Sequence, residues 1–204
     1  MVRVTEVIGY LKEPWYIDWV HRVGRTEANK IAKAAMKVGS RVDELIKATA
    51  FDTNLKMEHK EPAEVQTCIG AYRKWLDVYK PKSIVNGTRL YAKIEGVDVT
   101  GEPDIFVDDV LVDIKCSSKI SLSYWVQVNV YRFLDQMANE RISHPYKVAI
   151  LRLDKVTGSF EYVVKDYDQK CVDVWMGLFR AFLYYKGDSD GDELREVGAV
   201  KEVA

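Results

Sequence analysis

Thr100-Gly101-Glu102-Pro103-Asp104-Ile105-Phe106-Val107-Asp108-Asp109-Val110-Leu111-Val112-Asp113-Ile114-Lys115 holds two apolar runs separated by a pair of aspartates. Aspartate tolerates the backbone of a two-residue hairpin loop, so Asp108-Asp109 is read as the turn. Val107 then faces Val110, Ile105 faces Val112 and Pro103 faces Ile114, which makes one side of the ribbon wholly apolar. The other side pairs Phe106 with Leu111, Asp104 with Asp113 and Glu102 with Lys115. Strand side chains alternate with period two, so this single register sorts an apolar face from a charged one.

Directly opposed residues of such a ribbon have Cβ atoms about 4.5–5.5 Å apart, close enough for Asp104 and Asp113 to grip one cation. Two carboxylates at that spacing repel unless a cation or proton intervenes. Oxygen donors favour a hard divalent ion, Mg²⁺ or Mn²⁺. Lys115, two residues beyond Asp113 on the same face, reaches the same volume. Such a site suits phosphodiester hydrolysis: a metal to polarise the phosphate and activate water, and a lysine to orient the attacking water or stabilise the transition state.

Outward from the hairpin, the first 80 residues read as helical. A short helix is expected over Thr5–Leu11, another from Pro14 to His21, and a long one from Thr26 through Ile31, Ala35, Val38, Val42, Leu45 and Ile46. A further helix is expected from Glu61-Pro62 to Tyr79. Strands are expected over Ser83–Ile94, Val97–Val107 and Leu111–Lys115, and then a helix capped by Ser121 or Ser123 and ending near Ala138. A hairpin over Lys147–Leu153 and Ser159–Val164 follows, and Asp166 is expected to cap a last helix ending near Lys186-Gly187. The expected fold is α/β: a central mixed β-sheet flanked by helices behind a helical N-terminal region. One domain is expected over 1–187, mainly helical through residue 80 and then sheet and motif helix over 81–187, with a polar tail over 188–204.

Composition bounds the function without choosing it. The chain's 204 residues, 48% apolar and 30% charged, suit one soluble domain with a full core. No apolar run approaches the roughly eighteen residues of a membrane span, and no secretory h-region opens the chain, so a cytoplasmic location is expected, the host's cytoplasm if the chain is viral. Three widely spaced cysteines, Cys68, Cys116 and Cys171, argue against a disulfide framework and a structural zinc site. A net charge of -1 gives no global attraction to nucleic acid, so DNA binding needs a local basic surface.

Taken together, Pro103-Asp104, Asp113-Ile114-Lys115 and Gln127-Val128-Asn129-Val130-Tyr131 resemble the three motifs of the PD-(D/E)XK nuclease superfamily, in its RecB-type, phage-exonuclease-like branch with a QxxxY helix. The likeness spans Gly101 to Tyr131 in family order. It implies a restriction-endonuclease-like core and a Mg²⁺- or Mn²⁺-dependent deoxyribonuclease, an exonuclease or a structure-selective or single-strand endonuclease of replication, recombination or repair. Asp104, Asp113, Lys115 and Gln127 would be catalytic, with metal held by Asp104, Asp113 and the Ile114 backbone carbonyl. Gln127 and Tyr131 lie one helical turn apart; Gln127 can accept from Lys115 and donate to a phosphate, and Tyr131 can stack on or bond to nucleic acid.

The family often adds a Gly-x-x-x-His helix. Here Gly39-Ser40-Arg41-Val42-Asp43 matches except that Asp43 replaces His, and Asp43 is preferred to Glu44 as the upstream ligand because it lies beside the apolar stripe and one turn from Gly39. Gly39 is expected to let the backbone approach the sheet closely. The bland alternative is an ion pair with Lys47, its i,i+4 partner. A four-cysteine iron–sulfur cluster, found in some relatives, is not expected, because only Cys171 lies in the C-terminal region. Lys119 and Arg132 are candidate DNA contacts, and Arg22, Arg25, Lys30, Lys33 and Lys37 give a basic bias upstream. His21, His59 and His144 lack ligand spacing, and the five tryptophans are expected in the core. The competing functions are a non-catalytic DNA-binding domain of the same fold and a Holliday-junction-resolvase-like endonuclease. Assembly of several identical copies is left open.

Overall fold

The computed structural model describes residues 1–48, 61–138 and 147–189. The hairpin forms in the expected register: β5 (Ile105–Val107) and β6 (Val110–Lys115) pair antiparallel, with Val107 opposite Val110 and Ile105 opposite Val112. Both loop residues are left-handed, Asp108 at φ 46° and Asp109 at φ 69°. That conformation strains most side chains but matches the twist of a two-residue hairpin. The Asp108 carboxylate offsets the strain by accepting from the backbone N–H groups of Lys82 (3.1 Å) and Ser83 (2.8 Å).

Around this hairpin lies a five-stranded mixed sheet in the order β2 (Ile84–Asn86), β5, β6, β7 (Lys147–Leu153), β8 (Phe160–Asp166). Only β6 and β7 pair in parallel, and the chain between them includes helix α5 (Leu122–Ala138). Alternation along β6 and β7 sends Leu111, Val148 and Ile150 to one face, where they pack with Val126, Val130 and Leu134 of α5 and with Trp175 and Phe179 of α6 (Gln169–Ser189). Val112, Ala149 and Leu151 go to the other, against Val38, Val42 and Ile46 of α3 (Arg25–Ala48) and Ile69 and Trp75 of α4 (Ala63–Tyr79). Each fully buried large side chain contributes about 1.5–3 kcal/mol, so the two tryptophans anchor one layer each.

The remaining strands do not extend this sheet. β1 (Val2–Arg3), β4 (Val97–Gly101) and β3 (Leu90–Ile94) form a separate three-stranded sheet in that order, covered by α1 (Val4–Ile8) and by α5. The expected continuous strands over 83–94 and 97–107 are therefore each broken in two. The breaks have a steric reason: at Gly87 a Cβ would lie 2.0 Å from the Pro103 carbonyl oxygen, and the Gly87 N–H donates to the Asp104 carbonyl at 2.9 Å. The two crossings between sheets pack on each other there. The last helix is capped by Asp168, which accepts from the Lys170 N–H at 3.0 Å, because Asp166 is still within β8. Helix α2 (Pro14–Val23) packs on α3 and buries no residue fully.

Gly39 also differs from expectation, since a Cβ built there meets nothing within 4 Å. The two glycines should behave oppositely. Gly87→Ala is expected to destabilise by about 2 kcal/mol or more through backbone overlap, and Gly39→Ala to stabilise by up to about 1 kcal/mol through helix propensity. Urea unfolding of both variants checks this; equal effects would contradict the packing described.

Candidate active site

At the mouth of the hairpin the ladder stops and side chains take over. Asp104 precedes β5, and its Oδ2 accepts from the Ile114 N–H at 2.6 Å, so a carboxylate stands where a strand carbonyl would continue the pairing. Pro103 and Glu102 consequently leave the register expected for them. Asp113, in the middle of β6, has no exposed surface, because the hairpin's charged side faces α5 rather than solvent. Its Oδ1 accepts from Gln127 Nε2 at 3.2 Å, and its Oδ2 lies 2.7 Å from Lys115 Nζ.

The electrostatics follow from this enclosure. Burial, then the neighbouring Asp113, push the Asp104 carboxyl up to about 7; Lys115 and the Ile114 N–H only partly oppose this. Burial also raises Asp113, against the pull of Lys115. Burial alone would lower Lys115, but Asp113 and Asp104 outweigh it and hold the ammonium charged.

α3 brings a third carboxylate. Asp43 lines a cleft of about 380 Å³ with Gly39, Asp104, Ile114, Lys115, Ser117 and Tyr124, among other residues. Its Oδ2 pairs with Lys47 at 3.1 Å, while its Oδ1 is buried with no hydrogen-bond partner among the described residues. Asp43 is close enough to raise both Asp104 and Asp113. Lys47 also contacts Glu102 at 3.1 Å, Glu102 contacts Arg89 at 2.9 Å, and Asn86 Nδ2 donates to the Lys47 carbonyl at 2.8 Å. Glu44 turns elsewhere: it is exposed and pairs with Arg41 at 3.0 Å.

Among the described residues no group of three or more His, Cys, Asp or Glu side chains is already arranged to hold a metal ion. Lys115 and Lys47 stand against the carboxylates instead. The donor chemistry nevertheless fits a hard divalent cation: the carboxylates of Asp43 and Asp104 line one cleft, Asp43 Oδ1 has no hydrogen-bond partner among the described residues, and burial beside the enclosed Asp113 drives the Asp104 carboxyl towards neutrality.

Several expected roles shift. Tyr131 is buried rather than available to a nucleic acid. Its ring seals against Gly101, where a Cβ would lie 2.7 Å away, and its hydroxyl accepts from Gln127 at 2.9 Å. Gln127 donates to Asp113 and Tyr131, so it steadies the carboxylate in place of the expected bond from Lys115. Arg132 lies over the Tyr167 ring at 4.6 Å and bonds Gln136. Lys119 lies over Trp15 at 3.6 Å. Trp75 and Trp175 are core residues, but Trp15 is exposed, because α2 has no layer above it among the described residues. His21 is exposed, His59, His144 and most of the polar tail lie outside the described residues, and the cysteines are free thiols. Sequence reasoning gave no place to Tyr124, which lines the cleft with its ring 5.3 Å from Lys115 Nζ, or to the Lys47–Glu102–Arg89 chain, whose members are far apart in sequence.

No family model matches the sequence, and no curated protein is similar to it. Solved structures are. A protein of Eubacterium rectale assigned as an exonuclease superposes with a TM-score of 0.54 at 16% identity, covering 76% of this chain and 68% of its own. An alkaline exonuclease of Laribacter hongkongensis gives 0.44 at 12% identity, covering 74% and 80%. No helix among the described residues is long and apolar enough to cross a membrane. The chain has a mixed α/β fold with a helical N-terminal region, shared with the Eubacterium rectale protein.

Proposed function

We propose that the chain is a divalent-metal-dependent deoxyribonuclease, with Asp104, Asp113 and Lys115 at its centre. The observation that carries this reading is one cleft lined by Asp43 of α3, by Asp104 at the start of the hairpin and by Lys115, whose ammonium lies 2.7 Å from the enclosed Asp113 carboxylate. The all-oxygen donor set of Asp104, Asp113, Asp43 and the Ile114 carbonyl suits Mg²⁺ or Mn²⁺, which supplies charge neutralisation and a more acidic water when bound. Lys115, held protonated, acts as a hydrogen-bond donor to the charge that builds on the phosphate oxygens rather than as a base. Gln127 keeps Asp113 oriented, and Tyr131 keeps Gln127 oriented.

The test is incubation with 5′- and 3′-labelled single- and double-stranded DNA in Mg²⁺, Mn²⁺ or EDTA. Cleavage is expected with either metal and none with EDTA. Asp113→Asn and Lys115→Ala should each lower the rate about a hundredfold or more. Near-normal rates in either variant sink the assignment, and DNA binding without cleavage in every condition identifies a non-catalytic binding domain.

Asp43 is proposed as the third ligand. Asp43→Asn should weaken Mn²⁺ binding about tenfold or more by calorimetry, since it removes an anionic ligand of the cleft, while Glu44→Gln changes it less than about twofold because that carboxylate is an exposed surface partner. The opposite ranking would assign the role to Glu44.

A third expectation concerns pH in EDTA. Asp104 has a folded value of about 7 against an ordinary 3.8, so its contribution to stability is complete below the ordinary value and is lost as pH rises through about 7. Asp104→Asn should therefore raise the melting temperature of the metal-free protein more at about pH 8 than at about pH 5. Calorimetric melting of both proteins reads the difference, and a larger gain at the lower pH contradicts the sign.

A further inference from the structure

The exposed rings at the start of α2 form a strip with two ammonium groups from outside it, Lys12 just before the helix and Lys119 just before α5. Trp15 is 42% exposed and Ile17 43% exposed, and no residue of α2 is buried. Lys119 Nζ lies 3.6 Å from the centre of the Trp15 ring, and Lys12 Nζ lies 5.3 Å from that of Tyr16. The rings contact one another edge to face, Trp15 with Tyr16 at 5.9 Å. The strip is fixed in direction rather than loosely hung. Trp15 Nε1 donates to Glu13 Oε2 at 2.8 Å, and the other oxygen of Glu13 accepts from the Ser123 N–H at 3.5 Å. Ser117 Oγ donates to the Lys119 carbonyl at 2.9 Å. Ser117 and Tyr124, which follow Lys115 and Ser123 in the chain, line the cleft itself. Trp15 and Lys119 are thus tied to the same segment, 117–124, that supplies Ser117 and Tyr124 to the cleft wall.

We propose that this strip is a stacking platform for a single strand of DNA entering or leaving the cleft, an inference that rests on the nuclease reading of that cleft. A flat ring can receive only a base whose own face is free, which an unpaired strand offers and a duplex interior does not. A net charge of -1 and two local lysines, partly offset by Glu13, also match the sparse phosphates of one strand better than the dense charge of a duplex. Without DNA, Lys119 covers one face of the indole by a cation–π contact, which shields that face from water. When a strand arrives, the ammonium exchanges the ring for a phosphate and a base takes its place on the indole. The charge spacing distinguishes this occupant from an apolar protein surface, which would leave both lysines desolvated without a counter-charge.

The experiment uses the full chain in EDTA, where no cleavage is expected, and a fluorescein-labelled fifteen-nucleotide oligothymidine beside a duplex of equal length. Trp15→Ala should weaken oligothymidine binding about tenfold, and duplex binding less than about twofold. Trp15→Phe should retain most of the affinity, because a ring remains. Lys119→Ala should lower the slope of log affinity against log salt by about 0.7. Titration with oligothymidine should quench tryptophan emission in the parent, and less so in Trp15→Phe. Tyr184→Ala, an exposed ring on α6 outside the strip, should change nothing. The platform is overturned if Trp15→Ala binds oligothymidine like the parent, if single-strand and duplex affinities fall equally, or if Trp15→Ala instead dissolves a dimer of the chain with no effect on DNA. A parent that cuts DNA while Trp15→Ala binds normally removes only the platform. A parent that binds oligothymidine through Trp15 but cuts no DNA removes only the nuclease reading.

Discussion

Asp113 occupies the centre of a sheet whose strands are otherwise packed with valine, leucine and isoleucine, and its charge has no water to lean on. An uncompensated carboxylate there would cost several kcal/mol. The surrounding structure is arranged to avoid that cost. Lys115 supplies the counter-charge from the next outward-facing position of the same strand, Gln127 supplies a donor from the crossover helix, and Tyr131 locks Gln127 by packing on Gly101. The demand propagates outward: the ring of Tyr131 needs a glycine at the end of β4, and so couples the three-stranded sheet to the five-stranded one.

The same enclosure sets the electrostatic character of the carboxylates. In water, two aspartates and a lysine at this spacing would be a screened surface cluster of little consequence. Here the low-polarity surroundings raise both acids, while the two aspartates outweigh burial and hold the Lys115 ammonium charged, so the cluster is sensitive to any charge brought beside it. The lysines at Asp113 and Asp43 make the metal-free fold tolerable. Glu102 and Arg89 extend that balance to the junction between the sheets, so the electrostatics of the cleft and the topology of the chain are one problem.

Much of this was legible in the residues, for identifiable reasons. The hairpin register was readable because period-two alternation and a two-residue turn leave one consistent solution, and the helices were readable from their apolar spacing. What escaped was set by contacts between distant segments. Nothing local in Ser83–Ile94 announces that the chain changes sheets at Gly87; that follows from the Pro103 backbone crossing above it. Tyr131 looked like a surface group because its role depends on a glycine thirty residues upstream, and Trp15 looked like core because an aromatic helix has no periodic mark for the absence of a covering layer. At Gly39 the motif suggested tight packing, and the structure shows open space facing the cleft.

The bond from the Ile114 N–H to Asp104 has a bearing on how related sequences should be interpreted. At this position the side chain completes a strand ladder as well as facing the cleft, so a short acceptor is required there for purely architectural reasons. A descendant that had lost all chemistry would still be under pressure to keep aspartate or asparagine at 104. Lys115 and Asp113 carry no such backbone duty; each is tolerated chiefly because of the other, and an inactive lineage could shed the two together in favour of apolar residues with little loss of stability. If the nuclease reading holds, the lysine–aspartate pair, and not Asp104, is therefore the feature whose survival in a family tree would distinguish working enzymes from inherited scaffolds.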